Sequence, residues 1–331
     1  MNILEIEDLT KHFIVPQSFV GGLLSRSATK SKTDVVHAVC HVSFSVRQSE
    51  IFGLVGESGC GKTTLSRCIL RLIEPTSGRV VFDGNEMLAL DKSQLRSIRG
   101  RIQMIFQDPF QSLDPRMKIV EIVGHPLELH KGTHGAETRE RVAELLKLVG
   151  LSPSSMSKYP HQLSGGQRQR VAIARALSTM PQVIVADEPV SSLDVSVQSQ
   201  ILNNLKELRE TLGLTLVFVS HDLGVVQYMS DRIGVMYLGR FAEIGPTEQV
   251  FTSPKHPYTE SLLSAIPIPD PQLNARTKRI MLKGDVPSPL SPPAGCRFHT
   301  RCPYSFERCS TEEPPMTRCG DEHLAACHLL K

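Results

Sequence analysis

The sequence predicts an α/β protein built on a doubly wound parallel sheet, and three observations carry that prediction. Residues 56–64 read Gly-Glu-Ser-Gly-Cys-Gly-Lys-Thr-Thr, a G-x-x-x-x-G-K-T loop between an apolar run and a helix-forming stretch. Val183-Ile184-Val185-Ala186-Asp187-Glu188 is a β-branched run ending in two acids, as a buried parallel strand ends at the catalytic edge of such a sheet. From Gln182 to Val219, strand, helix and strand patterns follow one another.

Each residue type in the loop has a mechanical reason. Val46 to Val55 is apolar enough for a buried strand, and Leu65 to Ile73 has the spacing of a helix packed on it. Gly56, Gly59 and Gly61 let the backbone wrap closely around phosphate oxygens, with the N–H groups of Glu57, Ser58, Cys60 and Thr64 among those turned inward. Lys62 is placed to reach the β- and γ-phosphates, and the Thr63 hydroxyl to bind Mg²⁺. The expected ligand is therefore ATP with Mg²⁺. Asp187 supplies a carboxylate for the metal, and Glu188 a group to polarise the attacking water. Two exposed acids at a strand end are the plainer alternative; the upstream phosphate loop and the following Pro189 weigh against it.

The remaining elements fall around this frame. The N-terminal part reads as strands at Ile3–Leu9, Val42–Val46, Ile51–Val55 and Arg79–Phe82, interrupted over residues 16–34 by a polar segment expected to be a surface loop. Residues 88–150 read as helical and end in Arg139–Val149, whose Val142, Leu145, Leu146 and Val149 share one face before a Gly150 stop signal. Leu163-Ser164-Gly165-Gly166-Gln167 precedes a helix expected over Arg168–Leu177. Small residues and free N–H groups at a helix start make an anion site.

Composition bounds the function. The chain has 331 residues with 40% hydrophobic and 21% charged residues and a formal net charge of +3, enough for one large domain and an appendage. That balance, without any Lys/Arg-rich run, argues against nucleic acid as a partner. No apolar stretch approaches the ~20 residues of a membrane helix, and Glu5, Glu7 and Asp8 are not the flank of a secretory signal. After about Pro254 the chain becomes proline-rich, and five of its eight cysteines, Cys296, Cys302, Cys309, Cys319 and Cys327, crowd into the last 36 residues. In a reducing compartment such clustering points to metal more than to disulfides. Zinc sites usually show a C-x-x-C pair, which is absent here. Iron–sulfur clusters tolerate looser spacing, and Cys302-Pro303 has the Cys-Pro of some ferredoxins. Unliganded thiols remain the third option. Cys40, Cys60 and Cys68 read as reduced thiols.

Taken together, the motifs resemble those of the ATP-binding cassette (ABC) transporter ATPases, in family order. Phe13 stands where the adenine-stacking aromatic is expected, Gln107 in Ile105-Phe106-Gln107-Asp108-Pro109 matches the Q-loop glutamine, Ser191-Ser192-Leu193-Asp194 matches the D-loop, and His221 matches the switch histidine. The resemblance implies a P-loop NTPase with a RecA-like core, an antiparallel β-subdomain and a helical subdomain at about 108–178. It also implies that Ser164, Gly165, Gly166, Gln167 and Asp194 act on ATP held by an opposing cassette. The cassette would span residues 1–253. The tail, 254–331, resembles the C-terminal extension of oligopeptide/dipeptide importer ATPases through His256-Pro257-Tyr258-Thr259, Ala265-Ile266-Pro267-Ile268-Pro269-Asp270-Pro271, Gly284-Asp285-Val286-Pro287-Ser288-Pro289 and Gly295-Cys296-Arg297-Phe298-His299-Thr300-Arg301-Cys302-Pro303.

That likeness, with Ser112-Leu113-Asp114-Pro115-Arg116-Met117, is to the F-type member of paired D and F subunits. It implies a peripheral protein on the cytoplasmic face of a membrane. Its partners would be a D-type ATPase, or a second copy, and two permease subunits, with an extracytoplasmic binding protein delivering a peptide or a related solute such as nickel. Relatives of this kind carry a four-iron cluster, and Cys296, Cys302, Cys309 and Cys327 match its ligands, leaving Cys319 spare. Ser49 and Ser192 depart from the usual Gly and Ala without removing a catalytic group. A soluble ABC ATPase of DNA repair or translation would be expected to show two cassettes or long coiled coils, and neither is present. A purely regulatory metal module would not need Lys62, Asp187, Glu188 and His221.

Overall fold

The computed structural model describes residues 1–16, 33–266, 280–282 and 284–330. Most of the expected 16–34 loop and residues 267–271 of the tail motif lie outside these. Three strands form the centre: β3 (Ile51–Val55), β7 (Val183–Asp187) and β8 (Thr215–Ser220), parallel and buried along their whole length. Strands covered on both faces read as continuous apolar runs, as these do. Their side chains alternate between two cores. Ile184, Ala186, Leu216 and Phe218 face a helical layer, while Val183, Val185, Val217 and Val219 face the N-terminal strands.

The N-terminal layer is an antiparallel sheet of β1 (Asn2–Pro16), β2 (Thr33–Arg47), β4 (Ser77–Phe82) and β5 (Asn85–Glu86) in the order β2-β1-β4-β5. The main sheet runs β11-β12-β10-β9-β3-β8-β7-β6, with β6 Ile102–Ile105, β9 Arg232–Tyr237, β10 Arg240–Pro246, β11 Thr317–Gly320 and β12 His323–Ala325. The helices that position the site are α1 (Lys62–Ile69), α6 (Gly165–Leu177) and α7 (Val195–Leu212).

The structure corrects several expected boundaries. The strands expected at Val42–Val46 and Ile51–Val55 are indeed separate, so the apolar 46–55 run is not one strand: β2 ends at Arg47, the chain turns with Ser49 at φ 60°, and β3 begins at Ile51. The helix after the phosphate loop is Lys62–Ile69 rather than Leu65–Ile73, because Gly61 already supplies its cap. The 88–150 region is not all helical. Its Ile102–Ile105 segment pairs in parallel with β7, an apolar run too short for periodicity to separate strand from helix. The signature helix begins at Gly165, three residues early, because Ser164 and Gln167 form a reciprocal capping box. Phe13 lies inside β1, which cross-strand pairing with β2 extends to Pro16.

The tail folds back onto the cassette. β12 pairs with β10 through Glu243↔Ala325 and Ile244↔Leu324. Glu243 is fully buried, and its carboxylate accepts hydrogen bonds from the backbone N–H of Lys255 (2.8 Å) and His256 (2.9 Å), with His323 Nε2 at 2.7 Å. Phe298 fills the joint. It is 2% exposed and meets Tyr237 edge-on and Tyr258 at an angle, both with centroids 5.3 Å away. Truncating a core aromatic costs about 3–5 kcal/mol. Phe298→Ala is therefore expected to lower the free energy of unfolding in urea by that order while Phe298→Leu recovers most of it; a variant as stable as the parent would mean the tail is not held by this contact.

Candidate active site

The parallel register brings the functional side chains to one edge. Val55 pairs with Ser220 and Asp187 with Val219, so β3, β7 and β8 end level and deliver the phosphate loop, the two acids and His221 together. The loop turns at Gly61, whose φ of 107° disfavours any side chain, and a Cβ there would lie 2.1 Å from the Ala38 carbonyl oxygen. Buried Lys62 donates from Nζ to the carbonyls of Gly56 (2.7 Å) and Glu57 (3.0 Å). A cavity of about 300 Å³ opens above, lined by Phe13, Val36, Ala38, Ser58, Gly59, Gly61, Lys62, Thr63, Thr64, Gln107, Glu188 and Pro289.

Beside it lies an oxygen set suited to a hard dication. The Thr63 hydroxyl donates to Asp187 Oδ1 at 3.1 Å. Burial pushes the Asp187 carboxyl above its ordinary value, with the Thr63 hydrogen bond opposing, so a bound cation would restore the charged form. Glu188 is gripped from two sides: Gln107 Nε2 donates to Oε2 at 2.9 Å, and His221 Nδ1 stands 3.2 Å from Oε1. Its backbone sits at φ 45°, in the left-handed region that costs a non-glycine residue about 1–3 kcal/mol. Both carboxylate oxygens are thus fixed at the cavity wall, the arrangement a group that orients water requires.

Ser164, Gly165, Gly166, Gln167 and Asp194 do not line this cavity. They gather at the starts of α6 and α7, where a Cβ on Gly166 would come 2.5 Å from Val197 Cγ1. The N-terminus of α6 is therefore not part of the wall of this cavity.

Comparison with known proteins identifies the whole. The ABC transporter model matches residues 39–191. Over 328 residues the chain is 47% identical to the oligopeptide transport ATP-binding protein AppF of Bacillus subtilis, covering 99% of this chain and 97% of that protein. The chain belongs to the ABC transporter ATP-binding family. It is an ATPase of the P-loop cassette fold. The model for the oligopeptide/dipeptide transporter C-terminal region matches residues 242–309. The chain is also 47% identical, over 99% of its length and 90% of the relative, to the "Probable peptide ABC transporter ATP-binding protein y4tS" of Sinorhizobium fredii. Among solved structures, the ATP-binding cassette MJ0796, described as a dimer in a post-hydrolysis state bound to ADP and Pi, aligns with TM-score 0.63 at 32% identity, over 74% of this chain and 98% of that one. The cassette cbiO1 of Clostridium perfringens aligns with TM-score 0.62 at 28% identity, over 76% and 91%. No described helix of this ABC ATPase is long and apolar enough to cross a membrane.

Sequence reasoning missed how the tail of the ABC ATPase holds the phosphate loop. Arg301 grips Glu57 with both terminal nitrogens, at 2.8 and 3.2 Å, and the Glu57 backbone N–H donates to the Tyr258 hydroxyl at 3.0 Å. Pro289 reaches the cavity wall and accepts a hydrogen bond from the His37 N–H. These partners lie some 200 residues from the loop, and no local motif announces them.

The four tail cysteines surround a small hollow with His256, Phe298 and His299, while Cys319 lies apart, donating to the His323 carbonyl. No three of their sulfurs lie within 4.8 Å of one another. A single zinc ion, with Zn–S of about 2.3 Å, would draw tetrahedral thiolates to about 3.8 Å. The sulfurs of Cys296, Cys302 and Cys327 each accept a backbone N–H from the residue two positions on, which stabilises thiolate. Burial pushes the Cys296 thiol up to about 11, and its three cysteine neighbours add to the shift.

Two outcomes follow. Arg301→Ala leaves Glu57 without its partner and is expected to cost about 1.5–3 kcal/mol in denaturant unfolding; a double-mutant cycle with Glu57→Gln showing no coupling would reject the clamp. For Asp187, a raised folded pKa means its ionisation weakens the fold as pH rises from the ordinary value of about 4. Metal-free Asp187→Asn should therefore melt at or above the parent at neutral pH, with the gap closing toward pH 4. It should also lose the rise that Mg²⁺ with ATP confers on the parent.

Proposed function

We propose that this chain is the energy-coupling ATPase of a membrane importer for short peptides, the F-type subunit paired with a D-type cassette beneath two permeases on the cytoplasmic face. An extracytoplasmic binding protein delivers the solute. The C-terminal match to the oligopeptide/dipeptide transporter region and the peptide-transport names of its relatives support the substrate class. The grip of Gln107 and His221 on Glu188 supports the chemistry most directly.

In this mechanism Phe13 stacks on adenine, and the loop from Gly56 to Thr64 wraps the phosphates, with Lys62 at the β- and γ-oxygens. Thr63, Asp187 and Gln107 are the residues that would hold Mg²⁺, and the ion would supply positive charge beside the phosphates. Glu188 orients and polarises the attacking water, and His221 steadies its carboxylate beside the γ-phosphate. Ser164, Gly165, Gly166, Gln167 and Asp194 face the opposing cassette and its ATP, so nucleotide joins the two and hydrolysis parts them. Exposed Phe110, after Gln107-Asp108-Pro109, stacks under the Arg168 guanidinium at 3.8 Å and links the Q-loop to the signature helix on an open surface suited to a permease. Cys296, Cys302, Cys309 and Cys327 hold a four-iron cluster, with zinc as the alternative. Such a centre cross-links a tail that lacks a core of its own.

Glu188→Gln should keep ATP binding and cassette closure while steady-state turnover in the assembled transporter falls roughly 10²–10⁴-fold. Parent-level turnover would sink the assignment of Glu188. Lys62→Ala should lose nucleotide binding in a titration, and unchanged affinity would count against the whole site.

A further inference from the structure

Beside the adenine end of the cavity, three metal-binding side chains converge outside all the motifs. His12 in β1 and His37 in β2 are cross-strand partners, with rings edge to face at 4.4 Å between centroids. The register slips between Lys11 and His12, leaving Ala38 unpaired and bringing Cys40 alongside. His12 Nε2 lies 3.1 Å from His37 Nδ1 and 3.5 Å from Cys40 Sγ, and the three donor atoms are mutually within 4.8 Å. Both histidines are half-buried and Cys40 is buried.

Zinc bonds of about 2.0–2.1 Å to nitrogen and 2.3 Å to sulfur give tetrahedral edges of about 3.3 Å for N···N and 3.6 Å for N···S. The His12–His37 and His12–Cys40 separations lie close to these edges. Hydrogen bonding alone satisfies this group poorly. His12 Nε2 carries one proton or one lone pair, so it can serve His37 or Cys40 but not both.

We propose that His12, His37 and Cys40 form a site for a borderline transition-metal dication of the Zn²⁺ class, with a fourth position open to water. The ligand pair His12/His37 is followed in the ladder by Phe13↔Val36, and Phe13, Val36 and Ala38 all line the nucleotide cavity. Successive strand residues point to opposite faces, so the ion would sit on the back of the strand pair whose front receives the adenine. The ion pins β1 to β2 at that point and fixes Phe13, coupling metal supply to ATP affinity.

The test is a Co²⁺ titration of the full-length, chelator-stripped protein under reducing conditions, reading the thiolate-to-cobalt band and the visible bands of tetrahedral cobalt. The parent is expected to take up one equivalent more than Cys40→Ser or His12→Ala, whatever the tail cysteines bind, and Zn²⁺ should displace it. His37→Gln, a milder change at a half-buried strand position, should lose the same equivalent. Equal uptake by the parent and by folded variants would overturn the site. With Mg²⁺ retained, a zinc-selective chelator should weaken binding of a fluorescent ATP analogue several-fold in the parent and leave Cys40→Ser unaffected. Unchanged parent affinity would overturn the coupling. The cobalt readout does not use ATP hydrolysis, so it stands apart from the proposed transport role.

Discussion

The backbone hydrogen bonds that keep β3, β8 and β7 in parallel register are the constraint on which the rest of this structure depends. They end three strands at one level, and the chemistry follows from what each strand carries past its end: a phosphate loop, a pair of acids, and a histidine. A slip of one residue would turn every side chain of a strand to the wrong core and carry Asp187 or His221 away from the loop. The two-sided burial that makes these strands so apolar is what fixes the register. Catalytic geometry and core packing are therefore set by the same residues.

Around that edge the structure stores local strain and offsets it with fixed contacts. Glu188 holds a left-handed backbone because its N–H is bound to the Val219 carbonyl and its carboxylate is held by Gln107 and His221. The phosphate loop is likewise steadied from outside the cassette, by Arg301 on Glu57 and by the Tyr258 hydroxyl. Arg301 stands next to Cys302, so whatever occupies the cysteine hollow is one residue from a clamp on the nucleotide loop. The tail is thus more than an appendage: it extends the main sheet through β12 and forms part of the wall of the ATP cavity through Pro289.

Much of this was legible in the sequence, for identifiable reasons. The phosphate loop and the Asp187-Glu188 strand end are contiguous, so spacing alone exposes them. Their roles follow from residue chemistry in that context, while that of His221 came from resemblance to the family. The helix starts were misplaced where glycine disguises them, at Gly61 and at Gly165-Gly166. β6 was hidden because a four-residue apolar run has no period to read. Contacts between residues far apart in the chain were not legible at all. Arg301 with Glu57 and His12 with His37 and Cys40 exist only once the tail and the β1–β2 pair have folded, and each residue alone is unremarkable in type and neighbours.

The central claim is that this chain's signature acts on ATP held by an opposing cassette. The most direct measurement is the structure of the assembled transporter with ATP and Mg²⁺ trapped by Glu188→Gln. Ser164 and the N-terminus of α6 should lie within hydrogen-bond reach of the γ-phosphate bound to the opposing phosphate loop, with Asp194 at the interface between cassettes. Nucleotide held by one cassette alone, with Ser164 facing solvent, would contradict the account.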